Sequence, residues 1–456
     1  MFLKSWKKRF LPIAVISSLS LSSLAIPYSS AEAKGQAKQP KNVIFLIGDG
    51  MGVSYTSAYR YLKDDPKTKV SEKTYFDSYL VGQQMTYPED PAQNVTDSAS
   101  AATAMSAGIK TYNNAIAVDN DESAVKTVLE AAKEKGKSTG LVATSEITHA
   151  TPAAFGAHDI SRKNMNSIAD DYFDEQISGK HKIDVLLGGG KDLFIRTDRN
   201  LVKEFKKDGF SYVDNRKDLL NNKDDQVIGL FADAGLPKMI DRNNNTPSLE
   251  DMTKSAINRL KENKKGFFLM VEGSQIDWAG HDNDIVAAMS EMADFERAYK
   301  AAMEFAKKDK NTLVIATADH STGGFSIAAK GNYNWYGEPI KAAEKTPDFM
   351  AEQILQGANV ESTLEEYIKL SLTKEEIQSV KDAANTKDFT KIDNAIEDIF
   401  NVRSNTGWTT GGHTGEDVPV YAYGPASELF AGQKDNTDHA KLIFKLMNAK
   451  VTIEDK

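Results

Sequence analysis

The 456-residue chain contains no cysteine. This absence excludes disulfide bonds, thiolate metal sites and attachment to a membrane through a lipidated cysteine. Any metal ion bound by this chain must therefore be held by oxygen and nitrogen ligands. The sequence also lacks Pro-rich and Gln-rich tracts and internal repeats, and its composition, with 40% hydrophobic and 27% charged residues, is that of a globular protein.

Long apolar runs are scarce, and the run nearest the N-terminus is interrupted by serines. Four basic residues at positions 4–9 precede the apolar stretch 10–26, and the small-residue segment Ala31-Glu32-Ala33 follows it. This order is typical of an export signal, so we predict a signal peptide over residues 1–33. A membrane anchor is the alternative, but the run is short and diluted by serine. We expect a secreted protein, extracellular or associated with the cell wall, without stable membrane insertion.

Basic residues are in deficit, because 56 Lys and Arg stand against 65 Asp and Glu, for a formal net charge of −9. Removal of the predicted signal would make the chain more acidic, since it takes away four basic residues and one acidic residue. This acidic balance argues against binding to nucleic acid or anionic membranes as the main role of the chain. If the substrate is an anion, positive charge must be supplied locally.

Continuously apolar segments alternate with helical segments along the rest of the chain. This pattern predicts an α/β fold with one large, mostly parallel sheet and helices on both faces. We expect a single domain over residues 34–456, in which the polar, partly helical stretch 330–410 is an insertion covering the site. The predicted strands are Asn42–Ile47, Ser138–Thr144, Ile183–Leu187, Gln226–Phe231, Phe267–Val271, Thr312–Thr317 and Val418–Tyr423.

Acidic and imidazole side chains stand just past three of these strands, namely Asp49, Glu272 and the pair Asp319-His320. The carboxyl ends of parallel strands lie on one edge of a sheet, so we expect these side chains to converge. Taken one at a time, each carboxylate has a plainer explanation as a helix cap.

Asp277 and His281 are four residues apart, so they lie on one face if this stretch is helical. Alone, such a pair is more often a solvated helix face than a metal site. His413 follows two glycines and adds a third nitrogen or oxygen ligand. Three ligands and an open position are typical of catalytic zinc, and two such ions about 4 Å apart serve in-line phosphoryl transfer. Spacing does not assign ligands to individual ions.

A helix of small residues is predicted to begin near Ser98, with Thr96 or Asp97 as its cap. A serine at a helix N-terminus is close to the positive end of the dipole, which favours an alkoxide and an incoming phosphate. No G-x-S-x-G motif surrounds Ser98, so a serine hydrolase of that type is disfavoured. By itself, Ser98 is more often a cap than a nucleophile.

Seven motifs taken together resemble the alkaline phosphatase family, with secreted Bacillus-type members the most similar. They occur in the family's order between about residues 41 and 424. They are GDGMG with Asp49, VTDSAS with Asp97 and Ser98, His149-Ala150-Thr151-Pro152, Arg162, EGSQIDWAGH from Glu272 to His281, TADH with Asp319 and His320, and GGHTG with His413.

The resemblance implies two zinc ions and a third ion, usually magnesium. One zinc would be held by Asp277, His281 and His413, and the second by Asp49, Asp319 and His320. The third ion would be held by Asp49, Thr151 and Glu272.

The resemblance also implies that Ser98 is the nucleophile and that Arg162 grips the phosphate. Asp97, His149 and Trp278 would lie around these groups. Some family members have Asp where His149 stands, so zinc or cobalt could replace magnesium in the third site. His149 is then either a metal ligand or a hydrogen-bonding neighbour, and Trp278 replaces the Lys of the enterobacterial pattern.

The expected function is hydrolysis of small phosphate monoesters with broad specificity, through a phosphoserine intermediate. A homodimer is one assembly that this expectation includes. A phosphodiesterase or sulfatase of the same fold is one alternative. A non-catalytic protein that binds metal or phosphate is another. We place three further histidines, His158, His181 and His439, on the surface, because no site motif surrounds them.

Overall fold

The structure is a computed structural model that describes residues 39–450. The predicted signal peptide, residues 1–33, lies outside the described residues. Within them the strands are β1 (Asn42–Gly48), β2 (Leu80–Met85), β3 (Ser138–Glu146), β4 (Gln176–Ile177), β5 (Lys180–His181), β6 (Val185–Gly189), β7 (Ser211–Val213), β8 (Val227–Leu230), β9 (Phe267–Gly273), β10 (Thr312–Thr317), β11 (Ser321–Thr322), β12 (Ser326–Ile327), β13 (Thr406–Gly407), β14 (His413–Thr414), β15 (Val418–Tyr423) and β16 (Gly432–Asp435).

Ten of these strands form one sheet in the order β16-β2-β15-β10-β1-β9-β3-β6-β8-β7. Strand β15 runs antiparallel to both of its neighbours, and the other pairs in the sheet are parallel. The prediction of a mostly parallel sheet is confirmed. The six remaining strands form three two-stranded ribbons, β11–β14, β12–β13 and β4–β5.

Helices flank the sheet on both faces, as predicted. They are α1 (Val53–Lys63), α2 (Ser98–Ala107), α3 (Val128–Glu134), α4 (Ala150–Gly156), α5 (Met165–Asp174), α6 (Lys191–Phe194), α7 (Leu201–Lys207), α8 (Arg216–Asn221), α9 (Leu249–Leu260), α10 (Gln275–Asp282), α11 (Ile285–Asp309), α12 (Glu338–Lys341), α13 (Pro347–Leu355), α14 (Val360–Tyr367), α15 (Lys374–Ala384), α16 (Phe389–Ser404) and α17 (Thr437–Leu446). Short 3₁₀ turns cover Phe76–Ser78, Met239–Asp241 and Ser427–Phe430.

Strand β1 illustrates why both faces of the sheet must be covered. Its residues alternate between the two faces. Ile44 and Leu46 belong to the hydrophobic cluster that includes α9 and α11. Phe45 points the other way and packs against Phe155 of α4 and His439 of α17, at ring-centroid distances of 6.0 and 5.5 Å. All seven residues of β1 are buried, which is the reason for its unbroken apolar sequence.

The sequence-based boundaries agree with the strands to within a few residues and are less accurate for some helices. The sequence pattern predicts a helix from Glu122, but this helix begins at Val128, because Thr127 forms a capping box with Glu130. The pattern also predicts a helix that begins near Arg162, and in the structure it begins at Met165.

The prediction that His158, His181 and His439 lie on the surface is wrong. His439 is fully buried, hydrogen-bonded to Gln84, and stacked against Phe430 at 5.7 Å. His181 is 6% exposed and lies 2.9 Å from Asp208 Oδ2. His158 is partly buried, between Glu130 and Glu175. These histidines occupy apolar or paired positions that tertiary packing creates and local sequence does not reveal.

Residues 330–410 contain five helices, α12 to α16. Their apolar residues Ile340, Met350 and Ile396 belong to the same hydrophobic cluster as those of α11. That this stretch covers the site stays a prediction. Among residues 39–450, no helix combines the length and the apolar character needed to cross a membrane.

Candidate active site

Four neighbouring parallel strands, β10, β1, β9 and β3, end at one edge of the sheet. Asp49 directly follows β1, and Asp319 lies two residues beyond β10. Glu272 is the next-to-last residue of β9 and pairs with Ile47 of β1. Thr151 follows β3 in the first turn of α4. All of these side chains are buried. The predicted convergence at the strand ends is therefore present.

A glycine allows the chain to turn away immediately after Asp49. Gly50 has φ +68°, and a Cβ there would lie 2.6 Å from Thr322 Oγ1 and 2.8 Å from Asp277 Cα. Its N–H donates to Oδ1 of Asp319 at 3.0 Å. Only glycine accommodates both the left-handed conformation and this close approach.

Helix α10 presents Asp277 and His281 on one face, as their spacing predicts. Nε2 of His281 lies 3.3 Å from Asp277 Oδ2. Nε2 of His413 lies 3.6 Å from Asp277 Oδ1 and 3.1 Å from Nε2 of His281. Three potential ligand groups therefore converge from two distant parts of the sequence.

Backbone carbonyls orient both of these imidazoles. Nδ1 of His281 donates to the carbonyl of Gly411 at 2.7 Å, and Nδ1 of His413 donates to the carbonyl of Thr96 at 2.8 Å. Because a carbonyl only accepts, Nδ1 of each ring carries a proton, so Nε2 is the atom that can bind a metal ion when the ring is neutral. This is how metal-binding histidines are commonly oriented.

The ribbon β11–β14 brings His413 to the end of β10. Thr322 pairs with His413 across this ribbon. The rings of His413 and His320 stack with centroids 3.6 Å apart and planes 20° apart. Residues almost a hundred positions apart are thus fixed beside each other.

Three groups of donor atoms lie close enough for each to share one ion. The atoms of each group are within 4.8 Å of one another, and the groups are Asp277, His320 and His413; Asp49, Asp319 and His320; and Asp49, His149 and Glu272. Both carboxylate oxygens of Asp49 and Oδ2 of Asp319 are buried without a hydrogen-bond partner. Buried, unpartnered carboxylates are destabilising unless a cation meets them. This donor set fits divalent metal ions.

The pKa values of the carboxylates also indicate a site for divalent metal ions. Burial, reinforced by neighbouring carboxylates, raises the pKa of Asp49 well above its ordinary value. Burial also raises the pKa of Glu272 to about 7 and that of Asp319 to about 6. Burial acts in the same direction on Asp277, but the hydrogen bond from His281 and the nearby imidazoles hold its pKa well below the usual range. The strand-end carboxylates therefore repel one another, and positive charge would stabilise them.

Ser98 is the first residue of α2, and Asp97 is the cap, so one of the two predicted caps is confirmed. Oδ1 of Asp97 accepts from the N–H of Ser100 at 2.9 Å. Oγ of Ser98 lies 3.2 Å from Nε2 of His320. Burial and the neighbouring His413 lower the pKa of His320 well below its ordinary value, so the ring facing the serine is neutral. Ser98 thus lies at the positive end of a helix and beside a potential metal ligand.

Arg162 lies in the loop before α5, and its side chain extends to Asp97, next to Ser98. Its Nη1 lies 3.2 Å from Asp97 Oδ2, and its Nη2 lies 3.1 Å from Nε2 of His149. Burial, followed by the charge of Arg162, lowers the pKa of His149 to about 3. Because a guanidinium only donates, Nε2 of the neutral His149 must accept, and its proton lies on Nδ1. The ring of Trp278 packs edge-on against His149 at 5.7 Å. His149 therefore contacts Arg162 through Nε2, while its Nδ1 is buried without a hydrogen-bond partner. Since His149 also lies in one group of donor atoms with Asp49 and Glu272, the structure is compatible with both predicted roles.

Several supporting residues are absent from the sequence-based expectations. Thr322 Oγ1 donates to Asp277 Oδ1 at 2.5 Å. Ser274 Oγ donates to Glu272 Oε2 at 2.7 Å, and Ser145 lies 3.5 Å from the same oxygen. The proximity of Ser274 and Thr322 to predicted ligands in the sequence is a usable signal. Ser145 has no such signal, because it lies in β3, which becomes a neighbour of β9 and Glu272 only in the folded sheet.

Buried carboxylates and imidazoles at the edge of a parallel sheet, with a serine at a helix start and a guanidinium beside it, are the features of a metal-dependent hydrolase of phosphate esters. The model of the family described as alkaline phosphatase matches residues 40–449. The chain belongs to the alkaline phosphatase family, and it is a metal-dependent phosphomonoesterase.

Similarity to individual proteins covers nearly the whole chain. Alkaline phosphatase 3 of Bacillus subtilis is 73% identical over 100% of both chains. The crystal structure of a cold-active alkaline phosphatase from Shewanella is 40% identical, covers 89% of this chain and 99% of its own, and superposes with a TM-score of 0.84. The alkaline phosphatase of the Antarctic bacterium TAB5, in a His-to-Glu variant with magnesium bound, is 34% identical, covers 91% of this chain and 100% of its own, and has a TM-score of 0.67.

Proposed function

We propose that this chain is a secreted, zinc- and magnesium-dependent alkaline phosphatase of broad specificity that acts through a phosphoserine on Ser98. The observation that carries the proposal is the position of the Ser98 hydroxyl. It lies 3.2 Å from Nε2 of His320, at a helix N-terminus and beside buried carboxylates without hydrogen-bond partners. A serine that only capped a helix would need none of these neighbours.

One proposed ligand set coincides with a group of donor atoms in the structure, and each of the other two shares two of its three residues with such a group. Asp277, His281 and His413 would hold one zinc ion, Asp49, Asp319 and His320 the second, and Asp49, Thr151 and Glu272 magnesium, with zinc or cobalt as alternatives in the third position. When bound, these ions supply Lewis-acid stabilisation of negative charge on the oxygens that attack and leave phosphorus.

The covalent step belongs to Ser98. Its Oγ attacks phosphorus while the bond between phosphorus and the leaving oxygen breaks, and water later cleaves the phosphoserine. The N-terminus of α2 stabilises both the serine oxygen and the phosphate as negative charge develops. Nε2 of His320 lies 3.2 Å from the Ser98 hydroxyl, so the attacking oxygen is beside a proposed zinc ligand.

Arg162 would bind the substrate phosphate. Asp97 and His149 each accept one of its N–H groups, and a guanidinium has five, so donors remain for two phosphate oxygens. Because His149 stays neutral, it orients Arg162 without repelling it. The His281 side chain is 41% exposed, so the site opens to solvent near one proposed zinc ligand. An open mouth favours leaving groups of varied shape.

The proposal is tested by hydrolysis of p-nitrophenyl phosphate at alkaline pH. We expect a chelator to abolish activity and zinc with magnesium to restore it. Labelled phosphate should attach to the wild type and to Ser100→Ala, two residues further along α2, but not to Ser98→Ala. Activity that survives chelation, or a labelled Ser98→Ala enzyme, would contradict the mechanism. Secretion and a homodimer stay predictions, to be checked by N-terminal sequencing of exported protein and by light scattering.

A further inference from the structure

A second group of acidic side chains lies apart from the proposed catalytic ligands. We call it the acidic cluster, and it consists of Asp282 at the end of α10, Asp284 before α11, Asp348 in α13, and Asp393 and Glu397 in α16. Carboxylate oxygens of Asp282, Asp348 and Asp393 lie within 4.8 Å of one another. The cluster therefore joins two helices of the 330–410 stretch to the loop between α10 and α11.

Three of these carboxylates are buried and lack a partner for one oxygen. Asp284, Asp393 and Glu397 are 2%, 2% and 5% exposed, and Asp284 Oδ2, Asp393 Oδ1 and Glu397 Oε1 receive no hydrogen bond. The other oxygen of Asp284 is occupied, since Oδ1 accepts from the first N–H groups of α11 at 2.7 and 3.0 Å. Leaving buried carboxylate oxygens unpaired is costly for a folded protein.

The surrounding protein does not neutralise the cluster. Within residues 39–450, no Lys, Arg or His nitrogen lies within 4.0 Å of its carboxylates, and Lys238 acts on it only from a greater distance. Burial, reinforced by the neighbouring acids, raises the pKa of Asp393 to about 9 and that of Glu397 to about 11.

A second acidic group in the same protein shows the contrast. Glu130 and Glu175 also approach one another around His158, but Lys182 lies between them, 3.5 Å from Glu130 and in contact with Glu175. There the chain supplies its own cation. The acidic cluster has no such residue.

We propose that the acidic cluster binds a divalent cation of the calcium class. Its donors are all carboxylate oxygens, which suit hard cations and not zinc, whose preferred ligands include nitrogen and sulfur. Oxygens on opposite sides of a calcium ion are about 4.8 Å apart, because each lies about 2.4 Å from the ion. Three oxygens that are mutually within 4.8 Å can therefore surround one such ion. Magnesium would require stricter octahedral geometry and shorter distances.

An approach to the cluster is present. A cavity of about 580 Å³ is lined by Asp282 and Glu397, together with Asn283, Asn401 and Trp408. A hydrated ion could enter from this cavity and exchange water for carboxylates. Once bound, the ion would hold α13 and α16 against the end of α10, where Asp282 follows His281.

The test uses full-length protein saturated with zinc and magnesium and freed of calcium. Calcium binding is measured by equilibrium dialysis with ⁴⁵Ca in excess magnesium, and the melting temperature by calorimetry. The variants are Asp393→Asn and Asp348→Asn. The matched control is Glu375→Gln, an exposed carboxylate on α15 that does not line the cavity.

We expect one calcium ion per chain and, at 100 times the dissociation constant, a melting temperature higher by about 3 °C. Asp393→Asn and Asp348→Asn should each weaken binding at least tenfold, whereas Glu375→Gln should bind like the wild type. If Asp393→Asn fails to fold, Asp348→Asn provides the comparison. Absence of calcium binding by the wild type, displacement of calcium by equimolar magnesium, or equal binding by the cluster variants and the control would each overturn the proposal.

Discussion

Replacing Glu272 with glutamine removes one negative charge from the third proposed ion site while preserving the shape of the side chain. Oε2 of Glu272 accepts from Ser274 at 2.7 Å, and a glutamine oxygen can keep that bond. The amide group that replaces Oε1 is a donor and cannot bind a cation. We expect the fold to be retained and the third ion to be lost.

The magnitude follows from the ligand count. Loss of a partner that merely supports a ligand typically lowers metal affinity roughly 10–100-fold, so loss of a charged ligand should lower it by at least about 100-fold. The zinc at Asp277, His281 and His413 should stay bound, because none of these residues contacts Glu272 through a hydrogen bond or ion pair.

The assay is metal analysis by mass spectrometry after dialysis against buffered zinc and magnesium. Wild type and the control Glu304→Gln, an exposed residue of α11, should retain three ions per chain. Glu272→Gln should retain two zinc ions and lose the third ion. If zinc and the third ion are lost together, the assignment of Glu272 and Asp277 to different ions is wrong.

Three further outcomes are expected. Thr322→Val removes the hydrogen bond to Asp277 and should weaken zinc binding roughly 10–100-fold in a chelator competition. Arg162→Lys cannot keep the simultaneous contacts to Asp97 and His149 and should raise KM for p-nitrophenyl phosphate by roughly tenfold or more, measured in steady-state kinetics. For calcium-free protein, the raised pKa of Glu397 means that the unfolded chain releases its proton first, so stability should fall as pH rises from about 4.5 towards 11. Glu397→Gln should flatten this dependence in urea titrations at several pH values.

Local spacing and strand ends predict the convergence of the carboxylates at the candidate site, whereas Thr151 and Arg162 are predicted only from the resemblance to the alkaline phosphatase family. Asp277 and His281 face the same way because the i,i+4 relationship is a property of any helix. Asp49 and Glu272 meet because parallel neighbours end at the same edge of a sheet. In both cases a short stretch of sequence determines where the side chain points.

Contacts between distant segments could not be predicted in this way. The contact of His149 with Arg162 depends on a separate loop, from which Arg162 approaches. The burial of His439 depends on Phe45 and Phe430, which lie far from it in sequence. The acidic cluster combines residues from three helices and a loop, so neither periodicity nor motif spacing indicates it. Each of these features depends on contacts between residues that are distant in the sequence, and a single sequence does not show which residues are in contact.

The two ribbons β11–β14 and β12–β13 act together as a clasp. Segments 321–327 and 406–414 pair along it, so the chain leaves and re-enters the core at neighbouring points. Lengthening a loop whose ends are already joined adds little closure entropy. The relative position of His320 and His413 therefore depends on the paired ribbons more than on the length of the chain between them. Loops that join the intervening helices can vary in length without moving the two imidazoles, whereas the helices themselves are held by the core.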